Sequence, residues 1–321
     1  MISNLEDSQK LLDFILENAL KAKVDGVVFT GDLFHNHAVV RIEVTDFWVR
    51  NLLKLTENNL KCIIIAGNHD MVGDKAKEGK FSAVTSLGLI PNVMVIDQKD
   101  IVTFPDKTVL ALRAYTSDHA LFINDCAEMK AKGANYLIAH QTFTGATYSN
   151  GFYASDGIDP SLVAQDHVIS GHIHTSMQIG NCFYVGSPKA DNMADANIPK
   201  GVWILNFKQD GSGYSKEFLS TDAVVTCYKK FKIVEGEDFP VLNPAHKNYL
   251  ELEGSNIWIT SMKKKLKNMQ NLQIKAVPTD TKLSTSKARV TDIEDFLTNQ
   301  FKPINGLKIE EVRQFIRGLD E

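Results

Sequence analysis

Short apolar runs, each ending in a polar motif, recur along this chain and constrain its fold more than any other feature. Gly26-Val-Val-Phe-Thr30 ends at Gly31-Asp32, and Cys62-Ile-Ile-Ile-Ala66 ends at Gly67-Asn68-His69-Asp70. Tyr136-Leu-Ile-Ala139 ends at His140, and Val168-Ile-Ser170 ends at Gly171-His172-Ile173-His174. Each run has the length and the Val/Ile content of a buried strand. Helix-like segments lie between the strands. One carries Leu12, Ile15, Leu16, Ala19 and Leu20 on its apolar side, a second spans residues 40–56 with Phe47, Leu52 and Leu55, and a third lies near residues 120–132. Strands alternating with helices are the pattern of an α/β fold. Further strands are expected at residues 93–96, 109–112, 183–185 and 202–207. The motif residues then sit at strand ends, where open α/β sheets gather their ligands.

Together the motifs supply one carboxylate (Asp32), one amide (Asn68) and four imidazoles (His69, His140, His172 and His174). Divalent ions such as Mn²⁺, Mg²⁺ or Fe²⁺ accept such mixed oxygen and nitrogen ligands. The two oxygens of Asp32 can bridge two ions. Asn68 coordinates without adding negative charge opposite an anionic substrate. His172 and His174 are two apart, so on an extended segment they point to the same side. His69, beside a ligand, can approach a reacting phosphate. Taken singly, Gly-Asp marks countless turns and carries no weight, and Gly-His-x-His is only suggestive. All four in this order, each at a strand end, make coincidence a poor account. His37, His119, His167 and His246 lack that support and read as surface or satisfied core residues. His35 reads the same way but, three residues after Asp32, is kept with Asp70 as a residue behind the ligands. Tyr148, Phe152 and Tyr153 follow His140 in a loop and could stack on a base, although packing is the better account of them.

Composition narrows the class. The formal charge of −4 excludes a uniformly basic nucleic-acid binder, but not one that uses metal ions and a local basic patch. Cys62, Cys126, Cys182 and Cys227 show no paired spacing, which fits a reducing, cytoplasmic compartment. No apolar run is long enough for a membrane span, and no signal peptide opens the chain. After about residue 222 the character changes. Strands are expected at 224–234, 249–253 and 273–277, and a helix at 258–269 with Lys263, Lys264, Lys265 and Lys267 as a solvated face. A Thr/Ser/Lys-rich loop follows at 278–287, then two amphipathic helices at 291–300 and 307–319. We therefore expect an α/β domain that carries the motifs over 1–221, a small α+β domain over 222–289, and closing helices over 290–321.

On Gly31-Asp32, Gly67-Asn68-His69-Asp70, His140 and Gly171-His172-Ile173-His174, the chain resembles the calcineurin-like metallophosphoesterases. Gly31-Asp-Leu-Phe-His35, Val185-Gly-Ser-Pro-Lys189 and Lys200-Gly-Val-Trp203 make it most similar to the SbcD-type nuclease subunits that process DNA ends, bacteriophage counterparts included. The resemblance implies a β-sandwich of two mixed sheets flanked by helices, with a C-terminal capping domain that touches DNA. It implies two divalent metals, Mn²⁺ foremost, and in-line attack of a bound hydroxide on a phosphodiester. Asp32 would bridge the metals, Asn68, His140 and His172 would complete one site, and His174 would belong to the other. His69 would be the catalytic histidine that is not a ligand. An SbcC-type coiled-coil ATPase would dock between Thr291 and Leu319. Dimers are common in the family, but no motif here shows one.

One departure matters. The family's Asp-x-His pair lies on a first strand, and this chain opens directly on a helix, so one metal site keeps only Asp32 and His174. We expect a truncated chain rather than an evolved one-metal protein. Two other readings stand beside the nuclease: a phosphatase or phosphodiesterase for small substrates, and a one-metal pseudo-enzyme that docks a partner.

Overall fold

Two helices pack side by side near the start of the chain. α1 (Ile2–Ala22) and α2 (Ile42–Glu57) are joined by a reciprocal amide pair. Gln9 Nε2 donates to Asn51 Oδ1 at 3.0 Å, and Asn51 Nδ2 donates back to Gln9 Oε1 at 3.1 Å. The strand β1 (Gly26–Phe29) runs between the helices; β2 (Lys61–Ile65) and β3 (Val93–Ile96) follow, and the three form a parallel sheet in the order β1-β2-β3. This computed structural model describes residues 2–36, 39–72 and 82–280, with side chains from residue 5 onward.

A larger sheet follows. Its strands are β4 (Lys99–Thr103), β5 (Val109–Arg113), β6 (Tyr136–His140), β7 (His167–Gly171), β8 (Met177–Ile179) and β9 (Cys182–Tyr184). They pair in the order β4-β5-β6-β7-β9-β8, with β4 and β8 as antiparallel edges on a parallel centre. Helix α3 (His119–Ala131) crosses from β5 to β6, its N-terminus capped by Asp118, whose carboxylate accepts the N–H of Leu121 at 3.0 Å. The antiparallel hairpin β10 (Gly201–Phe207) and β11 (Tyr214–Ser220) follows.

Side chains alternate across the central strands as the strand period requires. Leu110, Leu112, Ile138 and Ile169 face one core with Ile64, Ile65, Leu52 and Leu55, and the inner residues Leu205 and Phe207 of the hairpin pack against it. Ala111, Leu137, Ala139 and Val168 face a second core with Phe122 and Met129 of α3. The sandwich thus sets the large mixed sheet against the small parallel sheet and the hairpin. Both faces of β5 to β7 are covered, which is why these strands read as unbroken apolar runs.

Among the described residues these elements belong to one unit, up to residue 230 with 245–247; residues 231–244 and 248–280 form another. The second unit is built on β12 (Tyr228–Val234), β13 (Lys247–Gly254) and β14 (Leu272–Pro278) in that order, with α4 (Asn256–Lys265) joining the last two. Ile233, Leu250, Leu252 and Ile259 make its small core. Ser255 caps α4 by accepting the N–H of Trp258 at 3.2 Å, and Lys263, Lys264 and Lys265 close its last turn, where positive charge suits the helix dipole. The strand expected from residue 224 begins at Tyr228 instead, because the N–H groups of Val224 and Val225 both turn back to the Thr221 carbonyl. The segments read as closing helices and proposed for partner docking, 291–300 and 307–319, lie outside the described residues. No helix among the described residues is long and apolar enough to cross a membrane.

Ile64 is 0% exposed in the shared core. Ile64→Ala should therefore lower unfolding stability by about 2–5 kcal/mol in urea titration. A loss below about 1 kcal/mol would take this strand out of the core.

Candidate metal centre

The turns after β1, β2, β6 and β7 meet at one end of the sandwich. Asp70 organises the first two. Its buried carboxylate accepts the N–H of Asp32 (2.8 Å) and of Gly67 (2.9 Å) on Oδ2, and that of Phe34 (2.9 Å) on Oδ1. Burial pushes this carboxyl up to about 6, against the bonds from Gly67 and Phe34. Asp32 Oδ1 in turn accepts the N–H of His69 at 3.0 Å. Two glycines let these turns close. A Cβ on Gly67 would lie 2.1 Å from Asp32 Oδ1, and one on Gly31, at φ +105°, would lie 2.2 Å from His140 Nδ1.

Four side-chain atoms converge above this base. Asn68 Oδ1 lies 3.1 Å from His140 Nε2 and 3.0 Å from His172 Nδ1. His140 Nε2 lies 3.1 Å from His172 Nδ1 and 3.2 Å from Asp32 Oδ2. His140 Nδ1 sits 2.7 Å from the Thr30 carbonyl, which can only accept, so that nitrogen carries the proton and Nε2 turns to the cluster. Oxygen and imidazole nitrogen atoms therefore crowd one point, and positive charge there, whether a proton on His140 Nε2 or a metal ion, satisfies them. The spacing fits an ion, since neighbouring ligands of an octahedral cation with bonds of about 2.1–2.2 Å stand about 3.0 Å apart. The mixed oxygen and imidazole donors suit a divalent transition metal.

The electrostatics agree. Burial opposes ionisation of Asp32, but His140 and the His69 N–H outweigh it and hold the carboxyl well below the usual range. Burial likewise opposes charge on His140, and Asp32 more than offsets it, raising the imidazole. Burial, then the neighbouring His140, pushes His172 down to about 3, leaving a neutral imidazole with a lone pair to give. Asp32 (φ +58°) and His172 (φ +81°) both occupy left-handed backbone, which side chains with a Cβ rarely adopt and which clusters at functional sites.

The structure therefore brings Asp32, Asn68, His140 and His172 together. Asp32, His140 and His172 form a group with ligand atoms within 4.8 Å of one another; His174 stands outside it but lines the same cleft. His69 Nδ1 donates to the His35 carbonyl at 2.8 Å, and the exposed His35 ring stacks on His69 with centroids 5.9 Å apart. Tyr148 packs half-buried on the second core, whereas Phe152 is 72% exposed. Sequence reading missed Tyr115, whose ring stacks on His172 with centroids 5.9 Å apart. It leaves β5 as His140 closes β6 and His172 follows β7, and its N–H donates to Ala66 at 3.0 Å. The same strand-end position could have marked it.

A sandwich with a group of candidate divalent-metal ligands at its strand ends is the architecture of a metal-dependent phosphoesterase. The chain belongs to the calcineurin-like phosphoesterase family, whose model matches residues 1–176. It is similar to exonuclease subunit 1 of Enterobacteria phage T4, with 25% identity over 55% of this chain and 51% of that protein. Similarity to the SbcD subunit of the SbcCD nuclease from Escherichia coli K12 is 23% over 63% of this chain and 60% of the relative. For the DNA double-strand break repair protein Mre11 of Methanocaldococcus jannaschii it is 25%, over 75% and 65%. The chain thus spans about half to two thirds of the length of these relatives.

Asp70→Asn exchanges one acceptor oxygen for a donor that faces backbone N–H groups. The loss should be about 1–3 kcal/mol in denaturant melts, with Mn²⁺ affinity at least about tenfold weaker by calorimetry. Unchanged affinity would show that this carboxylate does not shape the ligand cluster.

Proposed function

We propose that the chain is the nuclease subunit of a DNA-processing complex and hydrolyses phosphodiester bonds at DNA ends. The observation that carries this reading is the placement of His69. It follows the ligand Asn68, its backbone N–H holds Asp32, and its ring is oriented by the His35 carbonyl rather than by the metal cluster. The three relatives above, an exonuclease subunit, a nuclease subunit and a DNA break-repair protein, support DNA as the substrate.

Asp32, Asn68, His140 and His172 would hold one divalent ion, Mn²⁺ in our reading, and Asp32 with His174 are the chain's contribution to a second. When bound, such ions place positive charge against the phosphate and acidify the attacking water. His69 keeps its proton on Nδ1 for the His35 carbonyl, which makes Nε2 the nitrogen that exchanges a proton with the leaving oxygen or stabilises its charge. Phe152, 72% exposed, would be free to stack on an unpaired base. A coiled-coil ATPase of the SbcC type is the expected partner, and a reducing cytoplasm the compartment, in keeping with the buried thiols of Cys62, Cys126, Cys182 and Cys227.

The direct test is digestion of single- and double-stranded DNA with Mn²⁺, with and without the ATPase. DNA shortening that EDTA stops is the expected result; hydrolysis of small phosphomonoesters with DNA left intact would overturn the reading. His69→Ala should cut turnover by about 10²–10⁴-fold while metal content, read by elemental analysis, stays that of the parent. Loss of metal on that substitution would make His69 a ligand instead.

A further inference from the structure

Lys200 and Asp195 are each 1% exposed and face each other inside the first unit. A buried ammonium persists only where its N–H groups find acceptors. Lys200 Nζ has three: the His174 carbonyl at 2.9 Å, Ser187 Oγ at 2.8 Å and Asp195 Oδ1 at 2.9 Å. The His174 carbonyl also accepts the N–H of Ser187 at 3.1 Å. Asp195 is as fully engaged. Oδ1 accepts the Ser149 hydroxyl at 2.7 Å, and Oδ2 accepts the N–H of Asp191 at 2.9 Å and of Asn192 at 3.4 Å.

Apolar residues of similar volume would fill such a space with less desolvation. What the ion pair does instead is join four segments at one point. One is the backbone of His174, whose side chain lines the cleft with Asp32 and His172. Another is the hairpin that closes through the Thr147–Tyr153 bridge, carries Ser149, and exposes Phe152 and Tyr153 at 72% and 75%. Ser149 is therefore three consecutive hydrogen bonds from the His174 carbonyl. Neither contact is a metal or substrate contact, so the pair acts through the residues it holds.

We infer that Lys200 and Asp195 are a positioning pair, which sets the His174 imidazole at the metal centre and fixes the aromatic hairpin beside it. This rests on the hydrolytic reading above. Lys200 holds the histidine from its carbonyl side, so a ligand outside the tight cluster keeps its direction. Asp195 passes the same constraint to Ser149, so the exposed rings stand at a set place relative to the centre.

Two variants test this. Lys200→Met combined with Asp195→Asn removes both charges, so neither is left buried alone, and Ser149→Ala cuts only the hairpin tether. The readout is the Zn²⁺-induced shift of the ring-nitrogen signals in histidine-labelled protein, which a diamagnetic ion confines to the nitrogens that ligate it, beside KM and kcat on DNA. In the folded double variant, His140 and His172 should shift as in the parent, while His174 should need about tenfold more Zn²⁺. Ser149→Ala should raise KM for DNA several-fold, by a larger factor than it lowers kcat. A parental shift of His174, or an unchanged KM in Ser149→Ala, would overturn the inference. If the double variant does not fold, Ser149→Ala decides alone. If the parent does not cut DNA, the nuclease reading fails, and the shift of His174 still decides the role of the pair.

Discussion

The carboxylate of Asp70 is the contact on which the site depends. It gathers three backbone N–H groups from the turns that end β1 and β2, one of them on Asp32 itself. An irregular turn buried at a sheet end would otherwise leave those donors without partners. With them satisfied, Asp32 can sit in left-handed backbone, at a cost of about 1–3 kcal/mol, and still present Oδ2 to His140. The ligand cluster follows from that base: Thr30 sets the tautomer of His140, and His140 stands against Asn68 and His172.

This arrangement explains why the chemistry lies where it does. Parallel strands β5, β6 and β7 all finish at the same end, so Tyr115, His140 and His172 leave adjacent strands in register. The small parallel sheet brings Asp32 and Asn68 to that end from the opposite layer. A cluster of lone pairs with edges of 3.0–3.2 Å is the outcome. Such a cluster is completed by positive charge, which links the fold to the divalent-metal binding of its family.

Much of this was legible because the decisive strands are apolar on both faces. Cys62 to Ile65 and Tyr136 to Ala139 have no polar position to blur the pattern, and the motif follows at once. The edge strands were not legible: β4 carries Lys99 and Asp100, and β11 carries Lys216 and Glu217, charges that suit an exposed edge and erase the apolar run. The part played by Asp70 was hidden for another reason. Its position in Gly67-Asn68-His69-Asp70 is plain, but its bond to Asp32 spans 38 residues, and no local pattern encodes that. Lys200 stood out only within Lys200-Gly-Val-Trp203, and nothing in that motif marks its buried pairing with Asp195.

The most direct test of the account is the place of the ion itself. Crystals grown with Mn²⁺ should show an anomalous-scattering peak about 2.1–2.2 Å from Asn68 Oδ1, His140 Nε2, His172 Nδ1 and Asp32 Oδ2, with His69 not among the ligands. Mn²⁺ bound elsewhere, with these four atoms holding none, would contradict it.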